Sequence, residues 1–441
     1  MGAGAERDPR QGRGDHRQAA SRPDRDGAPR LPGRIHPLHR SRRRQLSAGT
    51  VRIAGAAVTA PHHSERMPVV EIDRAALAAN WALLAARNPG ARTGAAVKAD
   101  GYGLGAAETA RTLHAAGCRD FFVAWAEEGR IVRAALDALT HPDDGTAPAR
   151  IFVLQGLEPD SVSLHLDAGL IPVLSTPGDI AVWCNGLKAA GRRAPAAIQL
   201  ETGMHRLGLD RADAEAAADL AASGELDLAL VMSHLASADE PTDQSARQQA
   251  RFLELAALFP GVPRSLANSA AVFLGSEFGF DLTRPGIALY GGEAGPASRG
   301  VLRPVARLTA AILQIRTANA GEAAGYGAAA PLTRDTRIAT VGLGYADGYH
   351  RAASGAGVAV RDVRPGPQAV VAGQRVPVLG RVSMDLTLLD VTDVPDNALV
   401  PGDRAEFFGP NMSIDAVANA AGTIAYELLT GLGPRVERRW V

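Results

Sequence analysis

Cysteine is scarce in this chain: 441 residues hold only Cys118 and Cys184, and neither stands in a metal-ligand spacing. That excludes a disulfide framework, gives no zinc or other metal site, and fits a reducing compartment, the cytoplasm. Hydrophobic stretches of membrane-spanning length are also lacking, because Asn, Glu, Asp or Arg interrupts each one, so no membrane role is expected. Aromatic residues make up 5% of the chain, and residues 1–66 contain no Phe, Trp or Tyr and no lysine. Such a segment cannot bury enough apolar surface to offset the entropy of ordering its backbone.

Residues 1–66 are therefore expected to form a disordered leader. They hold 14 arginines against 6 acids, a balance of +8 that the remainder of the chain offsets to a net charge of zero. Arg40, Arg42, Arg43 and Arg44 surround Ser41 in a cluster suited to nucleic acid or a membrane surface. A solvated basic leader without a partner is the plainer reading, and no nucleic-acid partner is expected. No signal-peptide h-region occurs, and Glu6, Asp8, Asp15, Asp24 and Asp26 argue against a transit peptide. Structured composition begins at Met67, which points to a translation start there.

From Met67 a short strand at 68–72 precedes Asp73, an N-cap for a helical pattern through Leu77, Asn80, Leu83 and Leu84. Eight short apolar runs follow, at 94–98, 120–125, 150–155, 170–174, 196–201, 226–233, 265–268 and 285–290. Helical stretches such as Ala106–Ala116, Arg211–Ala222 and Ala246–Leu258 separate them. Eight β segments with crossover-length connections predict a (β/α)8 TIM-type barrel over 67–299, with a doubly wound sheet as the alternative. Beyond residue 300 helical spacing nearly vanishes. Strand-like runs at Ile338–Val341, Val358–Val360, Ala369–Val371, Arg375–Val378, Thr387–Val391 and Arg404–Phe407 predict a mainly β domain over 300–441.

Chemistry in such barrels sits at the C-terminal strand ends. There the first run delivers Lys98 into Ala99-Asp100-Gly101-Tyr102-Gly103, and the fifth ends in Glu201-Thr202-Gly203-Met204-His205-Arg206. The sixth ends in Ser233-His234 and the seventh in Asn268-Ser269, while the eighth opens with Arg284-Pro285-Gly286-Ile287. Taken singly, each has a plain structural explanation: a solvated lysine, a capping serine, a core histidine, a paired arginine. Together they surround one mouth with a lysine, two arginines, a histidine, hydroxyls and glycine N–H groups. That set suits an anionic aromatic aldehyde, pyridoxal phosphate, whose carbonyl a desolvated lysine can capture.

These residues stand in motifs that resemble the alanine racemase family over Met67–Val441. The motifs are 97–103 (VKADGYG), 202–208 (TGMHRLG), 233–239 (SHLASAD), 267–270 (ANSA), 284–291 (RPGIALYG), 325–327 (GYG), 344–348 (GYADG), 382–385 (VSMD) and Tyr426-Glu427. The resemblance implies interconversion of L- and D-alanine for peptidoglycan supply, with Lys98 holding the cofactor covalently. It places Tyr102, Ser269, Gly286, Ile287 and Tyr426 at the phosphate, Asn268 in the cofactor shell and Arg284 at the pyridine nitrogen. Lys98 and Tyr326 become opposed acid–base groups, with His234 and Arg284 as the cationic neighbours a phenol needs to act as a base. Arg206 would hold the cofactor phenolate or the substrate carboxylate. Tyr326, Tyr345 and Met384 would reach into a partner subunit's site, which implies a head-to-tail homodimer.

The chain departs from the family pattern at Gln199, where relatives commonly carry a carbamylated lysine that orients the motif arginine. A neutral amide can still accept a hydrogen bond from Arg206 but brings no carboxylate charge. A racemase of broader amino-acid range and a non-catalytic pyridoxal-phosphate-binding protein are the alternatives.

Overall fold

Strands covered on both faces carry continuous apolar runs rather than alternating ones. Asp120–Val123, Leu170–Leu174 and Ala196–Gln199 are accordingly buried at every position. With Ala95–Ala96, Arg150–Val153, Leu228–Met232 and Arg264–Ser265 they form a seven-stranded parallel sheet in sequence order. Leu282–Thr283 closes it by pairing in parallel with Arg92–Thr93. The Gly94 and Ala96 amides donate to the Thr283 and Pro285 carbonyls, both at 2.9 Å, and on the other side the Arg284 amide donates to Ala267 O at 2.9 Å. The result is the expected eight-stranded barrel.

The computed structural model describes residues 52–53, 56–57, 66–139, 148–358 and 366–441. Met1–Ala60 and Pro61–Val441 are separate units, and in the first Arg52–Ile53 pairs antiparallel with Ala56–Ala57. The remaining expectations for 1–66, including the arginine cluster, lie outside the described residues, as does most of Val358–Val360.

The boundary of the eighth barrel segment differs from expectation. The eighth strand is Leu282–Thr283, and Ile287–Tyr290, expected as strand, is a 3-10 turn. All four of its residues are buried, so a short apolar run gave no period by which to distinguish turn from strand.

The second half is an antiparallel sheet dominated by Ala306–Ala318, a 13-residue strand that the sequence patterns did not single out. Its first half pairs with Arg404–Phe408 and Val69–Ile72, and its second half with Thr336–Val341. Through Thr387–Asp390, Gln374–Leu379 and Gln368–Val371 the pairing returns to Arg404–Phe408, so six strands form a closed ring. The strand at Val69–Ile72, first in the 66–441 region, thus belongs to the C-terminal sheet, where the last strand, Glu437–Trp440, runs parallel beside it. Two helices interrupt the β pattern, Ile414–Ala420 and Ala425–Thr430.

Helix Arg74–Arg87 starts as predicted, with the Asp73 carboxylate accepting the Ala76 amide at 2.9 Å. Its buried Asn80 donates to Leu289 O (3.1 Å) and Arg303 O (2.9 Å) and accepts the Arg303 amide (2.8 Å). An amide with three satisfied partners costs little to bury, and this one ties the 3-10 turn to the start of the second sheet. One buried apolar cluster runs through both halves, from Val70 to Val436.

Candidate active site

The strand that delivers Lys98 ends at Ala96, and the lysine opens a left-handed turn instead of completing the strand. Ala99, Asp100, Gly101, Tyr102 and Gly103 have φ of 54°, 52°, 62°, 56° and 79°. Each non-glycine residue there costs roughly 1–2 kcal/mol, so contacts must compensate. Within the turn, Gly101 N donates to Val97 O (2.9 Å) and Gly103 N to Ala99 O (2.7 Å). Asp100 Oδ1 accepts the Ala106 amide at 2.8 Å, starting the next helix. From outside, Glu128 Oε1 accepts the Ala99 amide (2.7 Å) and Arg438 Nε donates to Gly103 O (3.1 Å). A Cβ at Gly103 would lie 2.4 Å from Leu429 O, so the turn packs directly on helix Ala425–Thr430.

Lys98, Tyr102, Arg206, His234, Asn268, Ser269, Arg284, Gly286, Ile287 and Tyr426 all line one cavity of about 430 Å³. At one end hydroxyls converge on the 3-10 turn. Ser269 Oγ accepts the Gly286 (2.7 Å) and Ala288 (3.3 Å) amides. Tyr102 stacks on Tyr290 at 4.5 Å, and the Tyr290 hydroxyl donates to Ala96 O at 3.0 Å. Burial pushes the Tyr102 phenol well above its usual range and that of Tyr426 up to about 12, so both stay neutral O–H donors. Gly286 has no room for a side chain: a Cβ there would lie 2.1 Å from Tyr102 Oη.

Toward the barrel centre the cavity is electropositive. Arg284 is buried and donates through Nη1 to Ser265 Oγ and through Nη2 to Ser233 O, each at 2.5 Å. Among the described residues it has no acidic partner, and burial alone lowers its pKa to about 9. Burial, and then Arg206, lower the Lys98 amine below its ordinary value, while Glu128 opposes them. His234 is pulled down to about 3 by burial, then by Arg284, Arg206 and Lys98. That corrects the expectation of a cationic His234, because the positive groups around it keep the ring neutral.

Pyridoxal phosphate fits these residues. An amine of depressed basicity would suit an aldehyde, neutral hydroxyls and a glycine with no room for Cβ would suit a phosphate, and a buried guanidinium without an acidic partner would suit an acceptor.

Three expected residues are not in this cavity. Tyr326, Tyr345 and Met384 are 69%, 41% and 54% exposed on the C-terminal half. Gln199 lines the cavity, yet its amide donates to Leu207 O at 2.9 Å and makes no hydrogen bond to Arg206. It anchors the loop that carries Arg206, which is itself exposed. Asn268 acts chiefly on backbone, accepting the Ala271 amide at 3.1 Å and donating to Leu235 O at 3.4 Å.

The sequence reasoning missed the supports. Buried Gln248 donates to His234 O (2.9 Å) and Thr202 Oγ1 (3.3 Å) and accepts the Ala236 amide (2.8 Å), joining two strand ends. Glu128 and Arg438 hold the lysine's turn. Only Glu128 had a sequence signal, a glutamate near the start of a helix after an apolar run.

The alanine racemase N-terminal domain family model matches residues 72–294 and the C-terminal domain model residues 305–440. The chain is 47% identical to the alanine racemase of Rhizobium meliloti over 373 residues, 84% of this chain and 96% of that one. It is 46% identical to the biosynthetic alanine racemase of Agrobacterium fabrum over 382 residues, 86% and 95% of the two chains. Among solved structures, Bartonella henselae alanine racemase with covalently bound pyridoxal phosphate matches with a TM-score of 0.75 and 33% identity, covering 85% of this chain and 99% of that one. The biosynthetic enzyme of Pseudomonas aeruginosa matches with a TM-score of 0.74 and 36% identity, covering 85% and 99%. With both domain models matched in order and such identity over nearly the full length of its relatives, the chain belongs to the alanine racemase family.

Proposed function

We propose that the protein is a pyridoxal-phosphate-dependent racemase that interconverts L- and D-alanine, with Lys98 and Tyr326 as opposed acid–base groups. The observation that carries it is the cavity in which a lysine of lowered pKa and an arginine without an acidic partner face a hydroxyl-lined cradle. Pyridoxal phosphate supplies the electron withdrawal that weakens the substrate Cα–H bond. Lys98 holds the cofactor between turnovers, and its released amine takes or returns the Cα proton on the D face. Its lowered pKa favours the free-base form relative to an ordinary lysine.

Arg284, in the cavity lining, would meet the pyridine nitrogen. A guanidinium keeps its proton, so it can donate only to an unprotonated ring nitrogen, which restrains charge build-up and side reactions. Arg206 at the mouth and Met384 from a second subunit bind the substrate carboxylate. Tyr326, highly exposed and outside its own cavity, serves the L face by entering the cavity of a second copy, and Tyr345 accompanies it. The active form is therefore a homodimer with shared sites. With His234 neutral, Arg284 and Arg206 are the cations of the cavity that Tyr326 of a second copy would enter.

The boundaries 1–66, 67–299 and 300–441 are proposed as leader, cofactor-binding barrel and β domain, supported by the change from parallel to mainly antiparallel pairing, with Val69–Ile72 the exception that pairs in the second sheet. No helix among the described residues is long and apolar enough to cross a membrane. The proposed role is D-alanine supply for peptidoglycan in the cytoplasm.

Incubation with L-alanine in deuterated water, followed by circular dichroism and loss of the Cα proton, tests the activity. Turnover of another amino acid but not alanine would redirect the substrate, and cofactor binding without any Cα exchange would leave a binding protein.

A further inference from the structure

Glu128 is the third residue of helix Ala126–Asp137, a position from which a glutamate commonly accepts the N-cap amide. One oxygen does this: Oε2 accepts the Ala124 amide at 2.8 Å and the Trp125 amide at 3.3 Å. The other oxygen leaves the helix. Oε1 accepts the Ala99 amide at 2.7 Å and the Asp100 amide at 3.4 Å, across 29 and 28 residues of sequence. These are the first amides after Lys98, and the turn's own ladder begins only at Gly101. Helix capping alone needs one oxygen, so the second is committed to the lysine's turn.

We infer that Glu128 is a positioning residue for Lys98, its carboxylate bridging the Ala124–Trp125 corner and the left-handed turn so that the amine is presented to the cavity. The inference rests on Lys98 as the cofactor anchor. Glu128 is also the acidic group set against the cations around that amine, Arg206 at the fifth strand end and Arg284 in the same cavity, with the neutral His234 ring at the sixth strand end. Tyr102 and Tyr426 complete the titratable lining. A glutamine could not take the same part, because its single carbonyl oxygen serves only one of the two amide pairs and its NH2 would confront the other.

The chain has only two lysines, Lys98 and the exposed Lys188, so an amine acylating reagent reads Lys98 against one internal reference. In the cofactor-free Glu128→Gln protein, the pH midpoint for Lys98 acylation is expected to fall relative to wild type while that of Lys188 holds. Hydrogen exchange at Ala99 should accelerate about tenfold while Asp120–Val123 stays protected, and in the holoenzyme kcat should fall about tenfold with KM little changed. Unchanged exchange, midpoint and kcat would overturn the inference. Should Glu128→Gln fail to fold, the wild-type Ala99 amide decides: protection comparable to the barrel strands supports the bridge, and exchange at the rate of an open turn refutes it. Borohydride reduction of the holoenzyme and peptide mapping separate this from the underlying reading, since cofactor found away from Lys98 would overturn the anchor itself.

Discussion

Replacing Gly286 with alanine should weaken pyridoxal phosphate binding about tenfold to a hundredfold. The backbone at this position has φ −124°, so an alanine meets no left-handed strain. The new Cβ would lie 2.1 Å from Tyr102 Oη and 3.0 Å from Tyr102 Cζ. Carbon and oxygen need more than 3 Å, so the phenol must withdraw by an ångström or more. It cannot do so freely, because its ring is stacked on Tyr290 at 4.5 Å and Tyr290 is fixed to Ala96 O. The displaced hydroxyl would lose the hydrogen bond proposed for it to the charged phosphate, about 1.5–3 kcal/mol, which sets the range given. Titration of the cofactor-free protein with pyridoxal phosphate, followed by absorbance, measures it. The mechanism also dictates a coupling: Tyr102→Phe removes the same hydroxyl, so the double variant should lose little beyond either single one. Strictly additive losses, or wild-type affinity in Gly286→Ala, would refute the steric argument.

Tyr326→Phe should slow racemisation equally in both directions, as an equilibrium between mirror-image substrates demands, while Cα–H exchange with solvent collapses from L-alanine and persists from D-alanine; equal loss from both sides would remove the two-base assignment. An unfolded histidine takes its proton near pH 6.5, but His234 does so only near 3, so the unfolded state binds the extra proton between those values. Stability of the cofactor-free protein should therefore rise from pH 3 to 6.5, and His234→Asn should flatten that slope by an amount on the order of a few kcal/mol; an identical slope in urea unfolding across this range would contradict a buried neutral ring. Gln199→Leu removes the hydrogen bond to the carbonyl of the exposed Leu207, a loss of about 0.5–1.5 kcal/mol, and should raise KM for alanine through the Arg206 loop more than it lowers kcat. If Gln199→Lys changes neither turnover nor inhibition, Gln199 has no part in orienting Arg206.

Much of the architecture was legible locally. Continuous apolar runs separated by helical spacing marked the barrel, Asp73 marked a helix start that its carboxylate does cap, and the residues at the run ends, with Tyr426 added by the family resemblance, share one cavity. Each depends on burial pattern or short-range capping, which a sequence states directly. Other features were decided only in three dimensions. Ala99, Asp100 and Tyr102 carry no signal for a left-handed turn, because Glu128, Arg438 and helix Ala425–Thr430, distant in sequence, hold it. The buried run Ile287–Tyr290 could have been strand or turn until its neighbours assigned it. Val69–Ile72 joins the far sheet because its register partners, Ala306–Thr309 and Glu437–Trp440, lie more than 200 residues away. His234 is neutral because folding buries it and then gathers cations around it, and net charge in sequence reports neither burial nor proximity. Residue types and their order determined which chemistry this chain can hold; the tertiary contacts determined the conformation in which Lys98 is held and the charge state of the groups beside it.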